Sequence, residues 1–224
     1  MPTALVDHLV IAAATLTEGV AWCEATLGVV PGPGGQHPLM GTHNRLLNIS
    51  SARYPLCFLE VIAIDPEAAA PGRARWFGFD ELDLSAGPRL VNVVARTSAL
   101  EAHLAALRDA GARPGDALRA SRQTAAGLLQ WAIAVAPDGR LDGALPTLIQ
   151  WDDETLHPAT RLPASGVTLE RLRVQGIGPD VQQALQLAQT ECVAASTMNI
   201  EAELATPRGP VLLRSADLPT PPRN

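Results

Sequence analysis

The hydrophobic pattern of the chain begins with an apolar, strand-like run followed by a helical stretch. Residues 4–13 are rich in Val, Ile, Leu and Ala, which is typical of a buried strand. Thr15 or Thr17 can then cap a helix that extends to about Leu27, and Gly28 supplies a stop signal directly after it. The chain is therefore predicted to open with a strand and a helix.

Further strands are expected after this helix. The segment 29–44 is rich in glycine and proline, and within it His37 is expected in an ordered turn, because two glycines precede it and a proline follows. Residues 45–50 and 56–64 return to the apolar pattern of strands. The first 65 residues thus predict the order βαβββ.

The same order of elements recurs from Arg89 onward. A strand in LVNVVART is followed by Ser98 as a predicted helix cap and by a helical pattern that Gly111 ends. Aligning the first helix and its closing glycine with the second gives an internal repeat of about 84 residues. The remaining strands of the second copy are expected near residues 117–123, 127–136 and 146–152.

A third, shorter unit follows the linker 153–165. It contains a strand in GVTLERLRVQG, a helix in PDVQQALQLAQ, and a terminal hairpin in which PRG joins NIEAELAT to GPVLLRSA. The tail LPTPPRN is expected to be disordered or loosely attached.

Charge and cysteine content exclude several classes of function. The formal net charge is -6 and the sequence has no basic block, so we expect neither a nucleic-acid partner nor a membrane surface. All 17 basic residues are Arg, which excludes a lysine Schiff base or lysine general base. No signal-like segment or apolar run of membrane-spanning length is found. Three widely spaced cysteines favour a reducing, cytoplasmic location, and these are Cys23, Cys57 and Cys192.

Three polar residues interrupt this apolar background. Strand alternation places His8 on a face with Val6, and Glu60 likewise falls among apolar neighbours on the fourth strand. A histidine and a carboxylate directed into one cavity could be two ligands of a divalent metal, or a buried polar pair with no metal. His37 is either a loop residue aimed at the cavity or a surface histidine, and His157 in the linker is expected to be structural or exposed.

Four short motifs in linear order carry a resemblance to a known family. They are DHLV, GGQHPLMGTHN, FLEVIAIDP and ARWFGFD, and together they cover about residues 4–80. This pattern resembles the vicinal oxygen chelate superfamily, which includes glyoxalase I, extradiol dioxygenases and bleomycin-resistance proteins, and more narrowly its glyoxalase-like domain group. The resemblance implies an α+β fold in which paired βαβββ modules form a cupped mixed sheet, with an additional C-terminal βαββ unit. The corresponding divisions are a first module at 1–66, a linker at 67–87, a second module at 88–152 and the C-terminal unit at 166–216.

The resemblance also implies a site. His8, Glu60 and His37 are the expected ligands of a divalent metal such as Zn, Ni, Mn or Fe, and Glu60 is also the candidate general base. The repeat places neutral amides at the corresponding positions of the second module, near Asn92 and Gln150, where weaker ligands are expected. The expected substrate-binding residues are His37, Gly41, Thr42, Asn44, Trp76, Asn92 and Gln150.

Several functions stay open at this point. One is an enzyme in which the metal acts as a Lewis acid on a small oxygen-bearing molecule, with isomerase, lyase or dioxygenase chemistry. An alternative is a protein of bleomycin-resistance type that binds or sequesters a small molecule without chemistry, and a third is a purely structural protein. No nucleotide cofactor is expected, since the sequence has no phosphate-binding motif, and the protein is expected to be a monomer or homodimer.

Overall fold

In the computed structural model, which describes residues 2–124 and 127–215, the chain forms an eight-stranded sheet, a four-stranded sheet and three α-helices. These elements confirm the predicted α+β class and the paired βαβββ units. The tail LPTPPRN lies outside the described residues. Within the described ranges, no helix has both the length and the apolar character needed to cross a membrane.

The first unit contains four strands and one helix, which in chain order are β1 Leu5–Ala12, α1 Leu16–Leu27, β2 Gly32–His37, β3 Thr42–Asn48 and β4 Phe58–Ile64. The helix begins where the capping pattern predicts, because the hydroxyl of Thr15 accepts a hydrogen bond from the amide of Glu18 at 3.1 Å. It ends at Gly28, which has a left-handed φ of 75°.

The segment around His37 is a strand, so the expectation of a turn at this residue is wrong. In β2, His37 pairs with Thr42 of β3. The two preceding glycines serve close approach of the strands here. A Cβ on Gly34 would lie only 2.1 Å from the carbonyl oxygen of Asn44, and the amide of Gly35 donates to Oδ1 of Asn44 at 2.8 Å.

The second unit repeats the first with β5 Arg89–Arg96, α2 Leu100–Asp109, β6 Asp116–Thr124, β7 Gly127–Val135 and β8 Thr147–Trp151. The N-cap of α2 is Ala99 rather than the predicted Ser98, and its side chain makes no capping bond. Instead, Oε1 of Gln150 accepts the amide hydrogen of Leu100 at 2.9 Å. A neighbouring strand therefore replaces the local cap. Gly111 follows the helix with a φ of 84°, as expected.

The two units join edge to edge through β1 and β5. The strand order is β2-β3-β4-β1-β5-β8-β7-β6, with β1 parallel to β4 and antiparallel to β5. The outermost strands, β2 and β6, contact each other, so the curved sheet is nearly closed. This curvature gives the sheet a concave inner face that both units share.

The C-terminal unit contains β9 Thr168–Gln175, α3 Pro179–Leu185, β10 Glu191–Val193, β11 Asn199–Thr206 and β12 Gly209–Arg214. Its sheet has the order β10-β9-β11-β12. The short strand β10 is an addition to the predicted βαββ pattern, and it is only three residues long, which is too short for a period to be recognised.

Apolar residues form separate clusters on the two faces of the large sheet. On the outer face, α1, α2 and the C-terminal sheet pack into one large core that includes Leu9, Leu104 and Leu172. On the inner face, a smaller cluster contains Val10, Ile62 and several aromatic rings. The helices thus cover the outer face and leave the inner face available for a site.

Candidate functional site

The inner face holds a cavity of about 420 Å³, a volume that includes space open to solvent. Polar side chains of the first unit line it, namely His8, His37, Asn44 and Glu60, and Arg122 reaches it from β6. Five of the chain's eight Trp, Tyr and Phe residues also line it, and these are Phe58, Trp76, Phe77, Trp131 and Trp151. The cavity therefore combines a few charged groups with aromatic walls, which is typical of small-molecule sites.

A β-bulge brings Asp7 and His8 to the same face of β1. Against β5, Val6 pairs with Ala95 and His8 pairs with Val94, so Asp7 is the extra residue. Oδ1 of Asp7 lies 2.6 Å from Nδ1 of His8. Because the bulge interrupts the alternation, Val6 packs in the outer core. The prediction that Val6 shares a face with His8 is therefore wrong.

Asp7 is fully buried and is held by three donors. Its Oδ2 accepts hydrogen bonds from Nε1 of Trp151 at 3.0 Å and from Nε2 of His157 at 2.8 Å. Burial alone would raise the pKa of Asp7, but the hydrogen bonds from His157 and His8 outweigh it and hold the pKa below its usual range. Asp7 is therefore a carboxylate, and it keeps a hydrogen on Nδ1 of His8.

Glu60 faces His8 inside the cavity. Nε2 of His8 lies 3.6 Å from Oε2 of Glu60, while Oε1 of Glu60 accepts a hydrogen bond from Asn44 at 2.5 Å. The ring of Phe58 stacks on His8 with centroids 4.5 Å apart. Since Nδ1 of His8 is engaged by Asp7, its Nε2 is the atom available to exchange a proton with Glu60 or with a ligand.

His37 is held by three neighbours that fix its tautomer. Its Nδ1 lies 3.1 Å from the hydroxyl of Thr42, and its Nε2 lies 3.4 Å from Nδ2 of Asn44 and 3.3 Å from Nη1 of Arg122. Amide and guanidinium nitrogens only donate, so Nε2 accepts and the hydrogen is on Nδ1. Burial, reinforced by the charge of Arg122, lowers the pKa of His37 well below its usual value. The ring is therefore neutral.

Arg122 crosses the gap between β6 and β2. Its Nη1 donates to Oδ1 of Asn44 at 3.2 Å as well as to His37. A Cβ on Gly35 would lie 2.8 Å from this nitrogen, so the glycine leaves space for the guanidinium. Burial lowers the pKa of Arg122, but a guanidinium stays charged. Among the described residues, Nε of Arg122 and Nε1 of Trp76 are buried donors without a hydrogen-bond partner.

The structure brings five of the predicted site residues to one cavity, namely His8, His37, Asn44, Glu60 and Trp76. Gly41 and Thr42 are not among its lining residues. Gly41 has a φ of 58° in the turn between β2 and β3, and Thr42 supports the ring of His37. These two residues therefore support the position of His37 and do not line the cavity.

Asn92 and Gln150 are also absent from the cavity wall. Nδ2 of Asn92 donates to the hydroxyl of Thr147 at 2.5 Å, and Gln150 is bonded to the start of α2. Two β8 residues line the cavity, and these are Ile149 and Trp151, the chain neighbours of Gln150. Because side chains alternate along a strand, an offset of one residue in the repeat alignment selects the opposite face.

Several residues of the site were not selected from the sequence. Asp7 directly precedes His8 in the DHLV motif, but strict alternation places it on the other face. His157 was expected to be structural or exposed, and the structure agrees with the first alternative, because its side chain is only 10% exposed and contacts Asp7. The scarcity of aromatic residues was an available signal for Trp131 and Trp151, because a chain with few such rings concentrates them at this cavity.

The donor set does not fit the metal centre that the resemblance implies. His8 is oriented as a ligand would be, with Nδ1 held by a carboxylate. However, Nε2 of His37 is directed at the donors of Asn44 and Arg122, and the nearby guanidinium repels a cation. In residues 2–124 and 127–215, no three His, Cys, Asp or Glu side chains are grouped to hold one ion. We therefore derive no chemical step through a metal.

Comparisons with solved structures find proteins to which the chain is similar. A hypothetical protein from Staphylococcus aureus is similar with a TM-score of 0.55 and 15% identity, over 94% of this chain and 85% of that protein. Methylmalonyl-CoA epimerase from Streptomyces coelicolor, in complex with 2-nitronate-propionyl-CoA, gives a TM-score of 0.45 and 18% identity over 70% of this chain and 99% of that one. The epimerase from Mycobacterium tuberculosis gives 0.39 and 20% over 67% and 91%. A comparison with curated proteins finds no match.

The family comparison covers most of the chain. The model of the glyoxalase-like domain matches residues 6–190, which include the eight strands of the large sheet except for Leu5, the first residue of β1. The match agrees with the paired βαβββ units and with the motifs around His8 and Glu60. The chain therefore belongs to the glyoxalase-like domain family, within the vicinal oxygen chelate superfamily.

Proposed function

We propose that this chain binds a small oxygen-bearing molecule in the cavity of the eight-stranded sheet, and that Glu60 and His8 move a proton to or from it. The observation that carries the proposal is the 3.6 Å separation of Oε2 of Glu60 and Nε2 of His8 at a cavity with aromatic walls. Both side chains are almost fully buried, so a bound ligand would meet them away from bulk water.

The hydrogen bonds to Glu60 and His8 determine which atom of each side chain can exchange a proton. Asn44 binds Oε1 of Glu60, which leaves Oε2 facing His8 as the atom that can take a proton. Asp7 keeps the hydrogen on Nδ1 of His8, so Nε2 can accept that proton or return it. Removal of a proton beside a carbonyl group is the first step of many isomerase and lyase reactions. These are the two reaction classes we propose for the site.

A binding protein without chemistry is the second candidate. Asn92 and Gln150 use their amides within the protein, so ionisable groups of the cavity come from the first unit and from Arg122. A site built mainly from one unit would suit sequestration of a ligand that packs against the aromatic walls. The predicted cytoplasmic location and the monomer or homodimer state stay predictions.

Proton exchange separates these two candidates. Small dicarbonyl and 2-keto compounds would be incubated with the protein in heavy water, and deuterium incorporation next to the carbonyl followed by NMR. We expect exchange with the natural protein and a loss of about 100-fold or more in Glu60→Gln. Glu67→Gln is the matched control, because Glu67 is exposed. Binding without exchange would favour sequestration, and unchanged exchange in Glu60→Gln would contradict the role of Glu60.

Metal content tests the ligand set that the resemblance implies. Protein purified without chelator would be analysed for Zn, Ni, Mn and Fe, alongside His8→Ala and Glu60→Ala. From the arrangement of His37 and Arg122, we expect no stoichiometric metal that depends on these residues. One metal per chain, lost in both variants, would restore the prediction of a metal centre at His8 and Glu60.

A further inference from the structure

The cavity contains a charged donor group that is bonded only to neutral partners. Nη1 of Arg122 donates to Nε2 of His37 and Oδ1 of Asn44, at 3.3 and 3.2 Å. Its Nε is buried and has no hydrogen-bond partner in the described ranges. By contrast, Arg119 on the same strand forms an ion pair with Asp152 at the surface. A partly buried guanidinium with neutral partners is costly unless an anion joins it.

We propose that the ligand of this cavity carries a carboxylate, which Arg122 binds, on a small apolar or aromatic body. This inference rests on the proposed function and names its ligand class. Because Nη1 is held by His37 and Asn44, the guanidinium is fixed in position. Its remaining side, formed by Nε and Nη2, has the geometry that a carboxylate engages with two parallel hydrogen bonds.

The charges of the cavity favour a carboxylate over a phosphate. Arg122 is its single permanently charged cation among the described lining residues, and His37 is neutral. Burial lowers the pKa of Arg122 and the charge of Glu60 opposes that shift, so the Glu60 carboxylate in the same cavity acts on the guanidinium. A dianion would be repelled by Glu60 more strongly than a singly charged group.

The walls define the rest of the ligand. The rings of Trp131 and Trp151 lie 5.6 Å apart, and Trp76 contacts His37 edge-on with centroids 5.0 Å apart. An apolar body that enters the cavity would pack against these rings. The unpartnered Nε1 of Trp76 offers one further hydrogen bond to an oxygen of the ligand. Oxygen acceptors on a flat, apolar frame suit this wall best.

Three probes that share a phenyl ring test the carboxylate. Benzoate, benzamide and phenyl phosphate would be titrated into the full chain, and binding followed by tryptophan fluorescence, because three of the four Trp residues line the cavity. We expect benzoate to bind at least tenfold more tightly than either other probe. We also expect Arg122→Gln to reduce benzoate affinity at least tenfold, and Arg122→Lys to reduce it less. Arg119→Gln is the control, because that side chain is 81% exposed.

Other outcomes would overturn the inference, and they differ from a failure of the proposed function. The inference would be overturned if benzamide or phenyl phosphate bound as tightly as benzoate. This comparison needs only the natural protein. Benzoate affinity that is unchanged in Arg122→Gln would also overturn the inference. If none of the probes binds while Glu60-dependent proton exchange of neutral carbonyl compounds persists, the carboxylate is wrong and the proposed function stands.

Discussion

Nη1 of Arg122 and Nε2 of His37 lie 3.3 Å apart, although the two residues belong to β6 and β2 at opposite ends of the strand order. The contact joins the two units where the sheet nearly closes. It requires His37 to accept a hydrogen bond, and only the neutral ring can do so. The closure of the sheet is therefore linked to the protonation state of His37.

This linkage predicts a pH dependence of stability. The pKa of His37 is lowered in the folded protein, so between about pH 6.5 and that lowered pKa the unfolded chain binds a proton that the folded protein does not. The free energy of unfolding should fall as the pH decreases below about 6.5, by up to about 1.4 kcal/mol per pH unit for this residue. Urea denaturation between pH 7.5 and pH 5 measures it.

His37→Gln provides the comparison. The variant should be less stable at pH 7.5, and its stability should depend less on pH than that of the natural protein. Part of the slope should remain, because burial also lowers the pKa of His103. Parallel curves for the two proteins would show that His37 becomes protonated without cost.

A second prediction concerns Asp7, whose carboxylate accepts hydrogen bonds from His8, Trp151 and His157. In Asp7→Asn the amide NH₂ group would face a donor, and a buried hydrogen bond would be lost. We expect the free energy of unfolding to fall by about 2–3 kcal/mol in urea denaturation. Asp116→Asn should change it by less than about 0.5 kcal/mol, because Asp116 is 75% exposed. Equal effects of the two substitutions would contradict the structural role of Asp7.

The elements of the fold follow from local patterns, and this is why they could be predicted. The helix α1 begins after Thr15 and ends before Gly28, as the sequence indicates. The internal repeat predicts the order of elements in the second unit. The face of the sheet on which a side chain lies depends on strand register, and local sequence patterns do not determine the register. A bulge at Asp7 turns one buried carboxylate toward His8, and an offset of one residue separates Gln150 from the lining residues Ile149 and Trp151.

Arg122 illustrates the remaining limit. In sequence it is one of several polar residues along a strand with alternating exposure. Its contact with His37 exists because the sheet curves until β6 meets β2, and that curvature results from the packing of the whole sheet. First-unit residues such as His8 and Glu60 could be found from their motifs, while a partner 85 positions from His37 could not.

The third prediction concerns Gly35, where an added Cβ would displace the guanidinium of Arg122. In Gly35→Ala the added Cβ would lie 2.8 Å from Nη1 of Arg122, and this nitrogen ends a flexible side chain that can shift. We therefore expect the free energy of unfolding to change by less than about 1 kcal/mol, while affinity for benzoate falls severalfold. Gly32→Ala on the same strand is the matched control, because its Cβ would meet only the carbonyl oxygen of Leu46 at 3.6 Å.

Gly34→Ala completes this comparison along β2. Its Cβ would lie 2.1 Å from the backbone oxygen of Asn44, and backbone cannot move aside as the end of a side chain can. We expect this variant to lose more than about 2 kcal/mol of unfolding free energy in urea denaturation, because strands β2 and β3 must separate. If Gly35→Ala proved as destabilising as Gly34→Ala, or bound benzoate as well as Gly32→Ala does, Arg122 would not be the group that Gly35 accommodates.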